Sequence, residues 1–161
     1  NRVASDLETL NPSDKSYFEA QLQKTDNSLA SYQDRIKAIK QQFGGTKVAA
    51  TEDIFVYLAN AAGLDLVSPP AFIEAVAEGN DPPAQAIAQF QQQLQNNEPK
   101  VLVYNQQTVT PLTTNVKQLA SDYGIPIVAV TETLHPLGTS FQSWMGAEIV
   151  ALQNALNASA R

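Results

Sequence analysis

From Asp14 to Phe43 the apolar positions Phe18, Leu22, Leu29, Tyr32, Ile36, Ile39 and Phe43, with the small Thr25 in series, step by four and three in alternation. This is the stripe of one long amphipathic helix. Asn11 or Ser13 stands where an N-cap belongs, and Gly44 with Gly45 supplies the stop. A coiled coil has comparable spacing, but this stripe is short and leads directly into an apolar strand. The helix is therefore expected to cover one face of a sheet.

Beyond Gly45 the pattern alternates between strand and helix. Strands are expected at Lys47 to Ala50, Leu64 to Val67, Lys100 to Tyr104 and Ile125 to Val130. The third, KVLVY, is apolar without interruption, as a strand covered on both faces must be. Helices are expected from Ile54 to Ala62 with Gly63 as stop, and from Ala71 to Ala77 with Pro70 in the first turn and Gly79 beyond. A further helix should run from Pro83 to about Asn96, capped by Asn80 and Asp81, with Ala86, Ile87, Phe90 and Leu94 inward and its glutamines forming a solvated face. Pro111 opens a helix to Tyr123, closed by Gly124, and Ser140 to Ala155 forms the last, whose stripe assigns Trp144 and Met145 to the core. Four strands joined by helical crossovers give a parallel sheet. The expected fold is α/β, a three-layer sandwich with helices on both faces of a four-stranded parallel sheet in the order 2-1-3-4.

Ligands of open parallel sheets bind at the carboxyl ends of the strands. That edge would carry Glu52, Ser68, Asn105 and Glu132, and the Thr-Glu pair after the first strand (Thr51, Glu52) is repeated after the last (Thr131, Glu132). Taken singly, Glu52 also suits a helix-start acid and Glu132 a solvated loop residue, while Asp53 is a plain first-turn acid. Taken together on matching strand tips, Glu52 and Glu132 read as half of a metal site. Close carboxylates repel one another and a divalent cation relieves that repulsion; oxygen ligands favour Mn²⁺, whereas zinc draws more often on imidazole or thiolate. Asn105 and Gln106 stand where they could orient a carboxylate or touch an opposing surface, and equally where they would only end a strand.

Other chemistries fit less well. No G-x-x-x-x-G-K-[ST] or G-x-G-x-x-G turn is present to cradle phosphate, and the single histidine, His135, has no G-x-S-x-G serine to activate. A carboxylate-pair glycosidase would want a sugar cleft that nothing around the acids suggests. A net charge of −6 over 161 residues argues against nucleic acid, and no apolar run approaches the length of a membrane span. With no cysteine, disulfides and thiolate sites are excluded. The chain opens on Asn1, and NRVASDLETLNPSD looks like the tail of a preceding helix running into a proline stop, so a piece of something longer is expected.

The stretches GTKVAATEDIFVYLANAAGL, NEPKVLVYNQQT and GIPIVAVTETLHPLGTSFQSWMGAEIVALQNAL, in this order of elements, resemble the carboxyl-terminal lobe of the zinc- and manganese-type substrate-binding proteins of bacterial ABC transporters. ASDLETLNPSDKSYFEAQLQKTDNSLASY is similar to that family's passage from the interlobe helix into the second lobe, which makes residues 1–11 the end of the interlobe helix and 12–161 the carboxyl-terminal lobe. The resemblance implies a metal held between two lobes, with two histidines from the absent amino-terminal lobe. TEDIFVY matches the segment T-(E/H)-x-x-F-x-Y and places Glu52 at a ligand position; Glu132 fills the acidic position after the last strand, with His135 of the HPLG run as its competitor. The further implications are extracytoplasmic capture of Mn²⁺ or Zn²⁺ without catalysis, an ABC permease as partner, a monomer, and a periplasmic or lipoprotein location. A surface adhesin of the same fold and an α/β enzyme domain using the carboxylate pair are the rival readings. Two oxygen ligands alone would hold a metal at roughly millimolar affinity or weaker.

Overall fold

The structure is a computed structural model and describes residues 1–160. Its elements are α1 (Arg2–Leu10), α2 (Lys15–Phe43), β1 (Lys47–Ala50), α3 (Val56–Ala61), β2 (Asp65–Leu66), α4 (Pro70–Ala77), α5 (Ala84–Gln95), β3 (Leu102–Asn105), α6 (Pro111–Asp122), β4 (Ile127–Val130) and α7 (Phe141–Ser159), with single 3₁₀ turns at Pro12–Asp14 and Asp53–Phe55. The four strands form one parallel sheet in the order β2-β1-β3-β4, the expected fold and strand order.

Side chains alternate along each strand and so feed two separate cores. Val48 and Ala50 of β1, Val103 of β3, and Val128 and Val130 of β4 pack with Ile39 and Phe43 of α2 and Ile149, Leu152 and Leu156 of α7. Ala49 and Leu102, their neighbours in the same strands, face the other way, onto Phe72 of α4, Phe90 and Leu94 of α5 and Val116 of α6. Phe72 and Phe90 meet edge to face with ring centroids 4.8 Å apart, the favoured aromatic geometry. A sheet buried on both faces needs uninterrupted apolar strands, which explains why KVLVY carries no polar alternation.

Several local expectations are corrected. Asn11 and Ser13 do not cap α2: Asn11 Nδ2 donates to Asp14 Oδ2 at 2.8 Å and Ser13 Oγ donates to Asn11 Oδ1 at 2.6 Å, so both stabilise the 3₁₀ turn ahead of it. Asn80 and Asp81 do not cap α5 either, because Pro82 and Pro83 intervene and Pro83 itself is the N-cap. β1 has the expected bounds, whereas β2, β3 and β4 are shorter than read, although the Val67 N–H to Val48 C=O and Lys100 N–H to Lys47 C=O bonds continue the ladder past their ends. Only the second half of α2 covers the sheet. Its first half overruns the four-residue strands and pairs with α1, a helix with no buried residue. The turn from α2 into β1 does need its glycines: a Cβ on Gly44 would lie 2.7 Å from the Lys40 carbonyl oxygen, and Gly45 has φ +80°.

Candidate functional site

Register decides what meets at the sheet edge. Ala50 pairs with Val103 and Asn105 with Val130. Glu52 therefore lies two residues past β1, level with Asn105, and Glu132 lies two residues past β4 on the far side of Asn105. A two-residue step in extended chain returns a side chain to the same face. Asn105, the last residue of the central β3, thus stands between the two acids.

Its amide nitrogen binds both. Asn105 Nδ2 donates to Glu52 Oε2 at 2.7 Å and to Glu132 Oε1 at 2.6 Å, with Thr108 Oγ1 at 3.1 Å. The two carboxylate oxygens share one nitrogen within 2.7 Å, so they are no more than twice that distance apart. Two unit charges at such a separation repel by roughly 3 kcal/mol at an effective dielectric near 20, less where one is solvated. Two hydrogen bonds to charged acceptors, each about 1.5–3 kcal/mol, are of the size needed to offset that. The amide's direction is set from behind, where Asn105 Oδ1 accepts the Gln107 N–H at 2.9 Å.

The two acids are held differently. Glu52 is buried, 4% exposed, at the start of the 3₁₀ turn that leads into α3, and its Oε1 has no hydrogen-bond partner. Glu132 is exposed on the loop after β4. Gln107 grips that loop: its Oε1 accepts the Glu132 N–H at 2.8 Å and the Thr133 N–H at 3.2 Å, while Nε2 donates to Thr133 Oγ1 at 2.7 Å. One residue earlier, Glu148 Oε1 of α7 accepts from Thr131 N–H (2.9 Å), Thr131 Oγ1 (3.1 Å) and Trp144 Nε1 (3.0 Å). Trp144 also donates to Thr131 Oγ1 at 2.7 Å, so this half-buried indole anchors the β4 tip and does not belong to the core as expected; Met145 is likewise only half-buried.

Asn105 is thus brought into the site. Gln106 is exposed and its side chain makes no hydrogen bond among the described residues; the neighbouring Gln107 takes the supporting place. His135 is exposed on the loop beyond Glu132, also without a hydrogen bond. Ser68, the fourth strand-tip residue, is used structurally: its Oγ accepts the Ala50 N–H at 2.8 Å and donates to the Ala50 C=O at 2.9 Å, closing the β1 edge. Glu148 and Gln107 were not singled out by sequence. The i,i+4 spacing of Trp144 and Glu148 was the available signal for the first.

Glu52 and Glu132 open onto a cleft of about 490 Å³ bordered also by Asp53, Glu78 and Thr108, with no basic residue in its wall. Such a surface attracts cations, and its carboxylate oxygens are hard donors. Among the described residues no three His, Cys, Asp or Glu side chains come close enough to hold a metal ion. Glu52 and Glu132 are a pair of carboxylates and not a group of three.

The fold is an α/β sandwich with an acid-lined edge at the carboxyl ends of its strands. The chain belongs to the family described as zinc-uptake complex component A, periplasmic, whose sequence pattern matches residues 1–155. The kinship expected from TEDIFVY and VTETL is therefore borne out at the level of family and fold. The structure is similar to the substrate-binding protein FpvC of Pseudomonas aeruginosa in complex with Mn²⁺ (TM-score 0.73, 16% identity, covering 99% of this chain and 58% of that one). It is also similar to a ZnuA crystal structure (TM-score 0.66, 23% identity, 98% and 53% covered). A third relative is the laminin-binding protein Lbp of Streptococcus pyogenes (TM-score 0.69, 14% identity, 96% and 57% covered). The chain thus spans little more than half the length of these proteins. It has no match among curated protein sequences.

Proposed function

We propose that this chain is the carboxyl-terminal lobe of an extracytoplasmic metal-binding protein that captures a divalent transition metal, Mn²⁺ or Zn²⁺, and delivers it to an ABC permease, with no chemistry of its own. Glu52 and Glu132 supply two carboxylate ligands, and the remaining ligands come from an amino-terminal lobe that closes over the same edge. The observation that carries this reading is the convergence of both carboxylates on the single amide nitrogen of Asn105. Two acids are gathered at a strand edge where neither has a basic partner among the described residues, an arrangement that a cation completes. α1 then serves as the end of the helix joining the lobes, consistent with its unburied apolar residues Val3 and Leu10. The described residues contain no helix long and apolar enough to cross a membrane, and the word periplasmic in the family's description supports an extracytoplasmic placement.

Calorimetric titration of this chain with Mn²⁺ or Zn²⁺ tests the half-site. Affinity of roughly millimolar or weaker is expected from two oxygen ligands; micromolar binding by these residues alone would contradict it. Adhesion is the second reading, because two relatives of this fold carry laminin-binding names. Metal uptake lost on Glu52→Ala, with the protein still folded, supports transport; laminin binding that ignores Glu52→Ala supports adhesion.

A further inference from the structure

The oxygens that Asn105 leaves alone are as informative as those it holds. Asn105 is itself only 2% exposed, and turning its amide round would forfeit the Gln107 N–H bond and direct a carbonyl oxygen at two carboxylates. Glu52 Oε2 is therefore committed to Nδ2 at 2.7 Å. Glu52 Oε1 is buried without a partner, although Glu52 borders the acidic cleft. A buried acceptor left unpaired is costly and rare, and this one stands next to a second carboxylate.

Resting on the metal-capture reading above, we infer that Asn105 is a positioning residue that sets metal specificity: by occupying Glu52 Oε2 it leaves only Oε1 for the cation, so that Glu52 binds through a single oxygen. Transition metals with four or five ligands are served by a single-oxygen carboxylate. Ca²⁺ takes six to eight oxygens and draws heavily on carboxylates that bind through both, so it is denied a contact here. Glu52 could chelate only if the amide let go of Oε2, and among the described residues no other donor lies within hydrogen-bond distance of Glu52 to compensate. Asn105 thereby discriminates between ions without touching either.

Two measurements on this chain test the inference. In ¹H–¹⁵N spectra of the unaltered protein titrated with diamagnetic Zn²⁺, the two Asn105 side-chain protons should remain hydrogen-bonded and slow to exchange up to saturation. Their release as Zn²⁺ binds would show the cation displacing the amide and would overturn the proposal. Separately, Mn²⁺ binding followed by water-proton relaxation, with Ca²⁺ as competitor, is compared between the unaltered chain and Asn105→Ala. Mn²⁺ affinity should fall by about 10–100-fold, the usual effect of losing a group that supports a ligand, while Ca²⁺ loses less and the preference for Mn²⁺ narrows by about tenfold. A uniform loss with the Mn²⁺/Ca²⁺ preference unchanged would refute the specificity role. Should Asn105→Ala fail to fold, the Zn²⁺ titration decides alone. A different result, no response of the unaltered chain to either ion even at roughly 100 mM, well above the weak affinity expected of a half-site, and no difference from Glu52→Gln, would remove the metal-capture reading and this inference with it.

Discussion

The tips of β1 and β4 present the same dipeptide, Thr-Glu, and fix it by opposite means. At β1 the glutamate is buried, and burial with the Asn105 amide holds the carboxylate itself. At β4 the glutamate is exposed: its carboxylate also accepts from the Asn105 amide, at 2.6 Å, and its backbone is held besides, by Gln107 on one side and by the Glu148–Thr131–Trp144 cluster on the other. Both carboxylates meet the same amide, but burial confines one of them and a held segment carries the other. The buried acid has little freedom to follow a cation, whereas the exposed one can move to it, which suits a site completed from another surface.

Breaking this asymmetry should have its largest effect at Glu52. Replacing it by Gln removes the buried charge proposed to hold the cation, and Mn²⁺ binding should fall at least 100-fold, measured by relaxation titration. The same change relieves the repulsion with Glu132, so the metal-free protein should lose no stability in urea and should gain up to about 1 kcal/mol. Glu132→Gln should cost less in binding, about tenfold, because an exposed position leaves room for water to substitute.

Next in size is Glu148→Ala. It leaves the Thr131 N–H and the Thr131 hydroxyl short of an acceptor and takes one of two acceptors from the Trp144 indole N–H, which should cost about 1–3 kcal/mol in urea unfolding and loosen the Glu132 loop. Gln107→Ala should be milder, about 1 kcal/mol, with faster hydrogen exchange at the Glu132 and Thr133 amides; Gln106→Ala should change neither.

The smallest effect concerns pH. Burial raises the Tyr32 hydroxyl above its ordinary value, and the Glu148 carboxylate adds to the rise. A raised folded-state value favours the protonated form in the fold. The associated stability is complete below the unfolded value near 10 and is lost as pH rises through the folded one. Tyr32→Phe should remove this alkaline loss from the urea midpoint, and Glu148→Gln should shrink it without abolishing it, since burial is the larger cause.

Strand tips were the legible part of the site. Apolar runs punctuated by glycine, and the repeated Thr-Glu, were enough to place Glu52, Asn105 and Glu132 on one edge, because a parallel sheet aligns all its carboxyl ends. Contacts that depend on how a helix docks were not legible. Glu148 reaches Thr131 across 17 residues only because α7 lies along β4, and a helical stripe says which face is inward without saying what its margin touches. For the same reason Trp144 read as core, its hydrophobic bulk outweighing the indole N–H that in fact directs it to Thr131 and Glu148. Choosing between Gln106 and Gln107 required the local turn at Asn105, where one residue's shift reverses the direction of the side chain. Caps at Asn80 and Asp81 failed because Pro82 and Pro83 postpone the helix beyond their reach.

The most direct test is a double-mutant cycle for Mn²⁺ binding with Glu52→Gln, Glu132→Gln and the pair together. If one cation bridges both carboxylates, the losses should be strongly non-additive, the double variant binding little worse than Glu52→Gln alone. Losses that simply add, as for two acids acting on separate ions, would contradict a shared site at this edge.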